Sequence, residues 1–247
     1  LVGIVALLSD LFIRMTWYSR GSRRRGEGGG VIMLIAFVLA LLAPLFATLI
    51  QLAVSRKREF LADATGSLMT RYPEGLASAL EKIAAEIAEC DDCRYLPNQR
   101  PVPGEGDPEA EIMLIGEAPG SKENETGRPF VGAAGKFLEE MLNSICLERS
   151  DVFIANVIKF QPPNNRDPLP EEIARQKPFL DAQIAVIRPK MIVFLGRHAL
   201  RAVLPSIEQS ISELHGQLLV IDQQHYLPLY HPAAALYNGS MREVLMA

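Results

Sequence analysis

The chain has 247 residues, a formal net charge of −4, 49% hydrophobic residues and three cysteines. Residues 1–60 carry eight Lys or Arg against three Asp or Glu, whereas the remainder carries 17 against 26, a net charge of −9. Because residues 61–247 are this acidic, their overall electrostatic field cannot steer them to nucleic acid. Any contact with nucleic acid must therefore use local positive groups.

Two apolar segments lie within the first sixty residues. Residues 31–54, "VIMLIAFVLALLAPLFATLIQLAV", form a run without a charge that is long enough to cross the ~30 Å hydrocarbon layer of a membrane as a helix. Residues 1–19 include Asp10 and Arg14, so a span, an interfacial helix and half of a hairpin all remain open. Basic residues flank 31–54 on both sides and leave the topology undecided. We expect a hydrophobic helical hairpin that holds residues 1–54 in a membrane.

A Cys-x-x-Cys pair, Cys90 and Cys93, lies in "AECDDCRY". Such a pair can supply half of the ligands of a tetrahedral metal or iron–sulfur site. Two further ligands would be needed, and the third cysteine, Cys146, is distant in sequence. Because an odd number of cysteines gives no disulfide framework, the alternative is two free thiols in a loop.

The rest of the chain alternates between helices and strands. Pro73 and the apolar spacing after it predict a helix from about 73 to 89, and the Pro/Gly-rich residues 97–111 predict a linker or an irregular entry to the next domain. The predicted strands are "EIMLIG", "DVFIANVI", "KMIVFLG", "QLLVID" and "YLPLYHP", and further helices are predicted at about 133–145, 170–187 and 197–204, with a short last helix. This alternation predicts an α/β fold, a three-layer α/β/α sandwich around a mainly parallel sheet.

Three loops that follow predicted strands carry groups suited to chemistry. Ligands bind beyond the carboxyl ends of parallel strands, so Glu117, Phe130, Asn156 and His231 are expected to meet at one rim of the sheet. A Phe can stack on a flat ring, and an Asn can pair with a carbonyl oxygen and an adjacent ring N–H. A His can donate to an oxygen that gains negative charge, and a Glu can orient or deprotonate water. Each residue alone has a structural explanation, but their joint placement favours a site.

Four blocks of sequence carry a resemblance to a known family. The blocks "IMLIGEAPGSKENETGRPFVGAAGKFLEEML", "VFIANVIKFQPPNNRDPLPEEI", "LDAQIAVIRPKMIVFLGRHA" and "LYHPAAAL" closely resemble the family 4 uracil-DNA glycosylases, in the family's order, over residues 89–247. The resemblance implies the uracil-DNA glycosylase fold and hydrolysis of the N-glycosidic bond of a flipped-out deoxyuridine in DNA, which releases uracil for base excision repair. A non-catalytic uracil- or DNA-binding module remains an alternative. A glycosylase that bonds to the abasic sugar would usually carry a basic, His-containing loop, which is not seen after "NNRDP".

The resemblance also implies roles for single residues. Phe130 would stack on uracil, Asn156 would pair with its O4 and N3–H, and backbone amides of Gly116 and Ala118 would contact the base. Glu117 would lie near the water that attacks C1′, and His231 would stabilise charge on uracil O2. Towards the DNA strand, the expected contacts are Arg166 with phosphate and Leu236 or Tyr237 as a wedge.

Members of this family usually hold a [4Fe–4S] cluster on four cysteines. The resemblance places two ligands at Cys90 and Cys93, but Phe160 and Gln176 stand at the other two positions, and Cys146 matches no ligand position. We therefore expect no cluster, because two thiolates cannot complete the site.

Residues 1–88 resemble the C-terminal part of HtpX-type membrane zinc metallopeptidases, through the apolar hairpin and "SRKREFLADATGSLMTRYPEGLASALEKIA". In that family Glu59 would be a zinc ligand that Asp63 supports. No His-Glu-x-x-His occurs in the chain, so peptidase chemistry cannot be assembled and Glu59 would be vestigial. We expect a metallopeptidase remnant at 1–88 joined to a cytoplasmic, monomeric glycosylase at 89–247, anchored to the inner membrane if the prefix is expressed; an anchored peptidase subunit is the rival.

Overall fold

A computed structural model of the protein describes residues 73–97 and 99–246. The predicted hairpin of residues 1–54 and the predicted vestigial ligand Glu59 therefore lie outside the described residues. Among the residues that are described, no helix is long and apolar enough to cross a membrane.

Helices and strands alternate along the described chain, as the sequence pattern predicts. The helices are α1 (Pro73–Glu89), α2 (Ser121–Thr126), α3 (Ala133–Ser144), α4 (Pro170–Ile187), α5 (Arg197–Val203), α6 (Ile211–Leu214), α7 (Ala234–Tyr237) and α8 (Gly239–Met246). The strands are β1 (Glu105–Gly106), β2 (Ile112–Gly116), β3 (Phe153–Asn156), β4 (Met191–Leu195), β5 (Leu219–Ile221) and β6 (Gln224–Leu229).

The six strands form one sheet in the order β1-β3-β2-β4-β6-β5. Strands β3, β2, β4 and β6 are parallel, and the two edge strands, β1 and β5, pair antiparallel with their neighbours. The predicted mainly parallel sheet is confirmed. Because the four central strands run in one direction, their carboxyl ends lie at one edge of the sheet, where ligands bind in such folds.

Two hydrophobic clusters cover the two faces of the sheet. Successive strand residues point to opposite faces, and Met113 and Ile115 belong to one cluster whereas Leu114 belongs to the other. The first cluster includes Leu180 of α4 and Leu200 of α5, and the second includes Leu138 and Leu142 of α3. Helices thus pack on both faces, which confirms the three-layer α/β/α prediction.

Helix α1 begins at Pro73, as predicted, and buries one side. Leu76, Ile83 and Ile87 are buried, and Leu80 packs against the cluster that contains α4. Their spacing of three or four residues places them on one face of the helix. The proposed division of the chain after residue 88 stays a prediction.

Two local predictions were wrong. The segment after β2, predicted as a loop, contains the helix α2, and the predicted linker 97–111 contains the edge strand β1. Both elements are short, with six and two residues, and polar or glycine-containing, so they carry no hydrophobic period. Tertiary contacts rather than local pattern determine them.

Candidate active site

The ends of the parallel strands border a cleft of about 420 Å³. Strand β2 ends at Gly116 directly beside Asn156, the last residue of β3, and the Gly196 N–H after β4 donates to the Leu229 carbonyl at the end of β6 (2.8 Å). The cleft is lined by Glu117, Ala118, Pro119, Gly120, Glu123, Phe130, Ala134, Asn156, Pro162, Asn165, Arg166, Asp167, His231, Ala233 and Tyr237. The structure therefore brings Glu117, Ala118, Phe130, Asn156, Arg166 and His231 together.

Asn156 presents an unpaired acceptor at the floor of the cleft. Its side chain is only 1% exposed, and the amide oxygen Oδ1 has no hydrogen-bond partner. A buried acceptor without a partner costs about 1–3 kcal/mol, so such an atom marks a place where a ligand donor fits. A Cβ at Gly116 would lie 2.4 Å from this oxygen and 2.6 Å from Phe130 Cζ, so the floor requires glycine there.

Phe130 forms one wall of the cleft in an unusual backbone conformation. Its φ is +50°, in the left-handed region that non-glycine residues rarely adopt, and the residue is 7% exposed. Arg149 holds this conformation by donating from Nη1 to the Phe130 carbonyl (2.9 Å) and from Nη2 to the Pro129 carbonyl (2.8 Å). A Cβ at Gly135 would lie 1.9 Å from the same Phe130 carbonyl oxygen, so α3 approaches here only with glycine.

Glu123 ties the loop after β2 to the segment that carries Phe130. Its Oε1 accepts from the Val131 and Gly132 N–H groups, both at 2.9 Å, and its Oε2 accepts from the Gly120 N–H at 3.1 Å. Three charge-assisted hydrogen bonds to one carboxylate fix the two loops relative to each other. Glu123 therefore positions the Phe130 wall.

His231 lines the cleft beside Phe130, and the two ring centroids lie 5.7 Å apart. Burial lowers the pKa of His231 to about 4, against a smaller opposing effect of Glu123. The Ala233 N–H donates to His231 Nδ1 (3.1 Å), so in the neutral ring Nε2 carries the proton. His231 is thus a neutral hydrogen-bond donor at pH 7, and Gly196 leaves room for it because a Cβ there would lie 3.2 Å from His231 Cβ.

Glu117 lies at the edge of the cleft within a small charged group. His198 Nε2 lies 3.9 Å from Glu117 Oε2 and 3.1 Å from Asp167 Oδ2, and Arg197 Nη2 lies 3.1 Å from the same Asp167 oxygen. Burial raises the pKa of Glu117, the His198 and Arg197 charges oppose this rise, and Asp167 adds to it. A carboxylate with a raised pKa, partly exposed to the cleft, is suited to accept a proton from water.

Lys159 supports Asn156 from below the cleft. Its ammonium is fully buried and donates to the Asn156 carbonyl (2.8 Å) and to Gln183 Oε1 (2.7 Å). Burial lowers the pKa of Lys159 to about 7. These hydrogen bonds hold the segment after β3 in place. They give a structural reason for Lys159 within the otherwise apolar "NVIKF".

Comparison with known proteins gives the family. Residues 103–246, more than half of the chain, match the model of the uracil DNA glycosylase superfamily. The chain belongs to the uracil-DNA glycosylase superfamily. A type-4 uracil-DNA glycosylase of Sulfurisphaera tokodaii is 48% identical over 176 residues, which cover 68% of this chain and 80% of that protein. Similar proteins of Saccharolobus solfataricus and Archaeoglobus fulgidus are 45% and 43% identical, over 81% and 87% of their lengths.

A separate similarity concerns another family. A protease HtpX homologue of Dictyoglomus thermophilum is 49% identical over 84 residues, which cover 34% of this chain but only 27% of that protein. Both resemblances inferred from the motifs are therefore confirmed, and the second concerns a small part of the peptidase.

Of the predicted DNA-contacting residues of this uracil-DNA glycosylase superfamily member, Arg166 and Tyr237 line the cleft, and Leu236 precedes Tyr237 in the chain. Tyr237 is 91% exposed and Leu236 is 51% exposed, both on the short helix α7. The Arg166 guanidinium forms a paired contact with the Glu172 carboxylate (2.9 and 2.5 Å) and lies over the Tyr95 ring. Its proposed contact with phosphate stays a prediction.

A second depression, of about 600 Å³, shares no lining residue with the cleft. It surrounds Glu105, whose carboxylate pairs with both Arg128 and Arg149. Although it is the larger space, no aromatic ring lines it, and it lacks the buried unpaired acceptor of the cleft. We therefore assign the chemistry to the cleft.

The residues at the family's cluster positions do not fit an iron–sulfur cluster. Cys90 and Cys93 form a disulfide around the short helical turn Asp91–Cys93, so the predicted free thiols in a loop were wrong. Phe160 has no ligand atom, and Gln176 offers only an amide. In the described part of the chain, the single group of three or more His, Cys, Asp or Glu ligand atoms close enough to hold a metal is Glu117, Asp167 and His198, which includes neither cysteine.

Sequence patterns missed several residues around the site: Glu123, Arg149, Lys159, Asp167 and His198. A signal existed for Glu123, which is the third residue of a helix, where a glutamate commonly accepts from the backbone before that helix. Lys159 interrupts an apolar run, which indicates a buried cation with partners. No local signal identifies Arg149, Asp167 or His198, because their partners are remote in sequence.

Proposed function

We propose that this protein hydrolyses the N-glycosidic bond of a flipped-out deoxyuridine in DNA and releases uracil. The observation that carries the proposal is the unpaired, buried Asn156 Oδ1 beside the Phe130 ring. A flat ring with an N–H next to a carbonyl fits this wall and floor, and uracil has both at N3 and O4. Flipping the nucleotide out of the stack costs a few kcal/mol, which is least in single-stranded DNA.

Recognition of the base uses a rigid wall and floor. Phe130 stacks on the pyrimidine ring, Asn156 Oδ1 accepts from uracil N3–H, and the Asn156 amide N–H donates to O4. Cytosine has no N3–H and carries a donor at C4, so both contacts fail with it, and a site built to pair polar groups rejects such an analogue strongly. The amides of Gly116 and Ala118 contact the base edge in this proposal.

Bond cleavage moves the N1–C1′ electron pair onto uracil, which leaves as an anion with charge on O2, while C1′ becomes oxocarbenium-like. The neutral His231 Nε2–H donates to O2. Such a preorganised donor stabilises the charge that develops on O2, and it typically raises the rate ~10²–10³-fold. Because His231 is already neutral, no proton needs to leave it before the reaction.

Water completes the reaction at C1′. Glu117 accepts one proton from the water, whose oxygen bonds to C1′ and forms the abasic sugar. The uracil anion later takes up a proton, so that one water is consumed for each uracil released. The charges of His198 and Asp167 act on the pKa of Glu117 in opposite directions, and burial raises it. Because its pKa is raised, Glu117 is a better base than an exposed carboxylate.

Uracil-containing DNA is the proposed partner, and the proposed place of action is the cytoplasm, as a monomer. Exposed Leu236 or Tyr237 would enter the gap that the flipped nucleotide leaves. Arg166 would meet a phosphate while it keeps Glu172 as partner. These contacts are local, which agrees with a chain whose overall charge does not attract DNA.

The test separates a catalyst from a binding module. Glu117→Ala and His231→Ala are compared with the unchanged chain for single-turnover release of uracil and for affinity for a uracil-containing single strand. A catalyst loses at least ~10²-fold in the chemical step while its affinity changes less than about tenfold. An unchanged chain that binds the uracil-containing strand but releases no uracil would indicate a binding module.

A further inference from the structure

The two positions that the family resemblance assigns to cluster ligands contact the Cys-x-x-Cys turn in the fold. Gln176 Nε2 lies 3.4 Å from the Cys93 carbonyl, and the Phe160 ring lies under the Arg94 guanidinium at 5.8 Å. Both side chains thus border the turn that carries Cys90 and Cys93.

These two side chains fill the space as a well-packed interior does. Phe160 is 0% exposed, Gln176 is 1% exposed and Cys93 is 2% exposed. A ring and an amide buried to this degree leave no accessible space for a cluster between them and the turn. We call Phe160 and Gln176 the side-chain plug.

The plug is also connected to the floor of the cleft. Gln176 Oε1 accepts from the Lys159 N–H (2.6 Å), and Lys159 Nζ donates to the Asn156 carbonyl (2.8 Å). Phe160 is the next residue in the chain, so both plug residues hold the segment that follows β3. A cluster ligand at position 160 would have fixed the same segment from the same side.

We propose that this chain has exchanged the iron–sulfur cluster of its family for the side-chain plug, which fixes the uracil-recognition segment without a cofactor. The donor chemistry supports this, since a cluster needs four ligands and only two thiols remain at the ligand positions. The disulfide between Cys90 and Cys93 occupies those two thiols as well. The proposal concerns iron and backbone order, and it is tested separately from uracil release.

The first experiment measures iron. The full chain is purified without oxygen, and its iron and acid-labile sulfide are determined beside its absorption in the iron–sulfur charge-transfer region. The plug predicts less than about 0.1 iron per chain, whereas one iron per chain or more overturns the proposal. A chain free of iron that also fails to release uracil would count against the proposed function and leave the plug intact.

The second experiment restores the ligands. After reduction with dithiothreitol, the double variant Phe160→Cys with Gln176→Cys is incubated anaerobically with ferrous iron and sulfide, beside the unchanged chain and the single variant Phe160→Cys. The double variant should take up about four irons per chain, at least tenfold more than the unchanged chain. Equal uptake by the unchanged chain, or none by the double variant, would show that positions 160 and 176 do not border a former cluster site.

The third experiment tests the link to the cleft by hydrogen exchange. Gln176→Leu removes the acceptor of the Lys159 N–H, whereas Gln176→Glu keeps an oxygen there and is the matched control. Amides of residues 157–160 should exchange at least about tenfold faster in the Leu variant than in the Glu variant. Equal protection of these amides in the two variants would contradict the role of the plug in positioning the segment.

Discussion

Replacing His231 tests whether the leaving uracil is stabilised by a neutral imidazole. The pKa of about 4 means that protonation of this ring at pH 7 would cost about 4 kcal/mol, at 1.36 kcal/mol per unit. A cationic His231 would therefore be populated in about one molecule in a thousand at pH 7. The neutral donor is the form that we expect to act, since His231 Nδ1 already accepts from the Ala233 N–H.

The two His231 variants and the pH dependence each predict a change in the rate of uracil release. His231→Leu removes the donor and should slow the chemical step by ~10²–10³, whereas His231→Gln keeps an N–H near Nε2 and should lose less than about tenfold. Between pH 6 and pH 8 the cation population falls about a hundredfold, so a reaction that needed the cation would slow by that factor. With the neutral donor, His231 contributes no such decline.

Single-turnover release of uracil from a single-stranded oligonucleotide, measured from pH 5 to pH 8, supplies both quantities. Glu117 affects the profile in the opposite direction, because its raised pKa makes the rate fall towards acid, and Glu117→Gln should remove that limb. A hundredfold decline of the unchanged chain from pH 6 to pH 8, absent in His231→Gln, would refute the neutral donor.

Three further predictions concern the support of the cleft. Gly116→Ala places a Cβ 2.4 Å from Asn156 Oδ1, so kcat/KM for uracil-containing DNA should fall at least ~10²-fold, and overpacking should also lower the melting temperature; a fully active variant would contradict the glycine floor. Glu123→Gln replaces one carboxylate oxygen by an NH₂ group that cannot accept, so either the Gly120 N–H or the Val131 and Gly132 N–H groups lose their acceptor; KM should rise about tenfold, and an unchanged KM would contradict its role in positioning Phe130. Lys159 has an ordinary pKa of 10.5 in the unfolded chain and about 7 in the fold, so the unfolded state binds more protons between these pH values and stability rises with pH there by up to ~1.4 kcal/mol per unit. Urea unfolding between pH 7.5 and pH 9.5 should show this slope, and Lys159→Met should abolish it; equal slopes in the two proteins would contradict the lowered pKa of the buried Lys159 amine.

The sheet could be predicted because its strands are continuous apolar runs. "IMLIG" and "MIVFL" are buried on both faces and read the same from sequence and structure, and Pro73 marks the first described helix correctly. The strand ends then place Glu117, Asn156 and His231 at one edge without any knowledge of contacts. Short polar elements such as α2 could not be predicted from a hydrophobic period, and two of the three N–H partners of Glu123 lie eight and nine residues later in the chain.

Other properties of the site depend on surroundings that sequence does not reveal. The tautomer of His231 follows from one backbone N–H, and its low pKa follows from burial. The unpaired state of Asn156 Oδ1 requires knowledge of every neighbour of that atom. The bond between Cys90 and Cys93 was not predicted, because the resemblance directed attention to metal ligands.

The most direct measurement is incubation of the full chain with a single-stranded oligonucleotide that contains one uracil, beside the same strand with cytosine at that position. Free base and the alkali-labile abasic strand are quantified. We predict release of uracil from the first strand, with at least ~10⁴-fold less base released from the cytosine strand, since cytosine lacks the N3–H that Asn156 Oδ1 would accept. A correctly folded chain that produces no abasic strand would contradict the account.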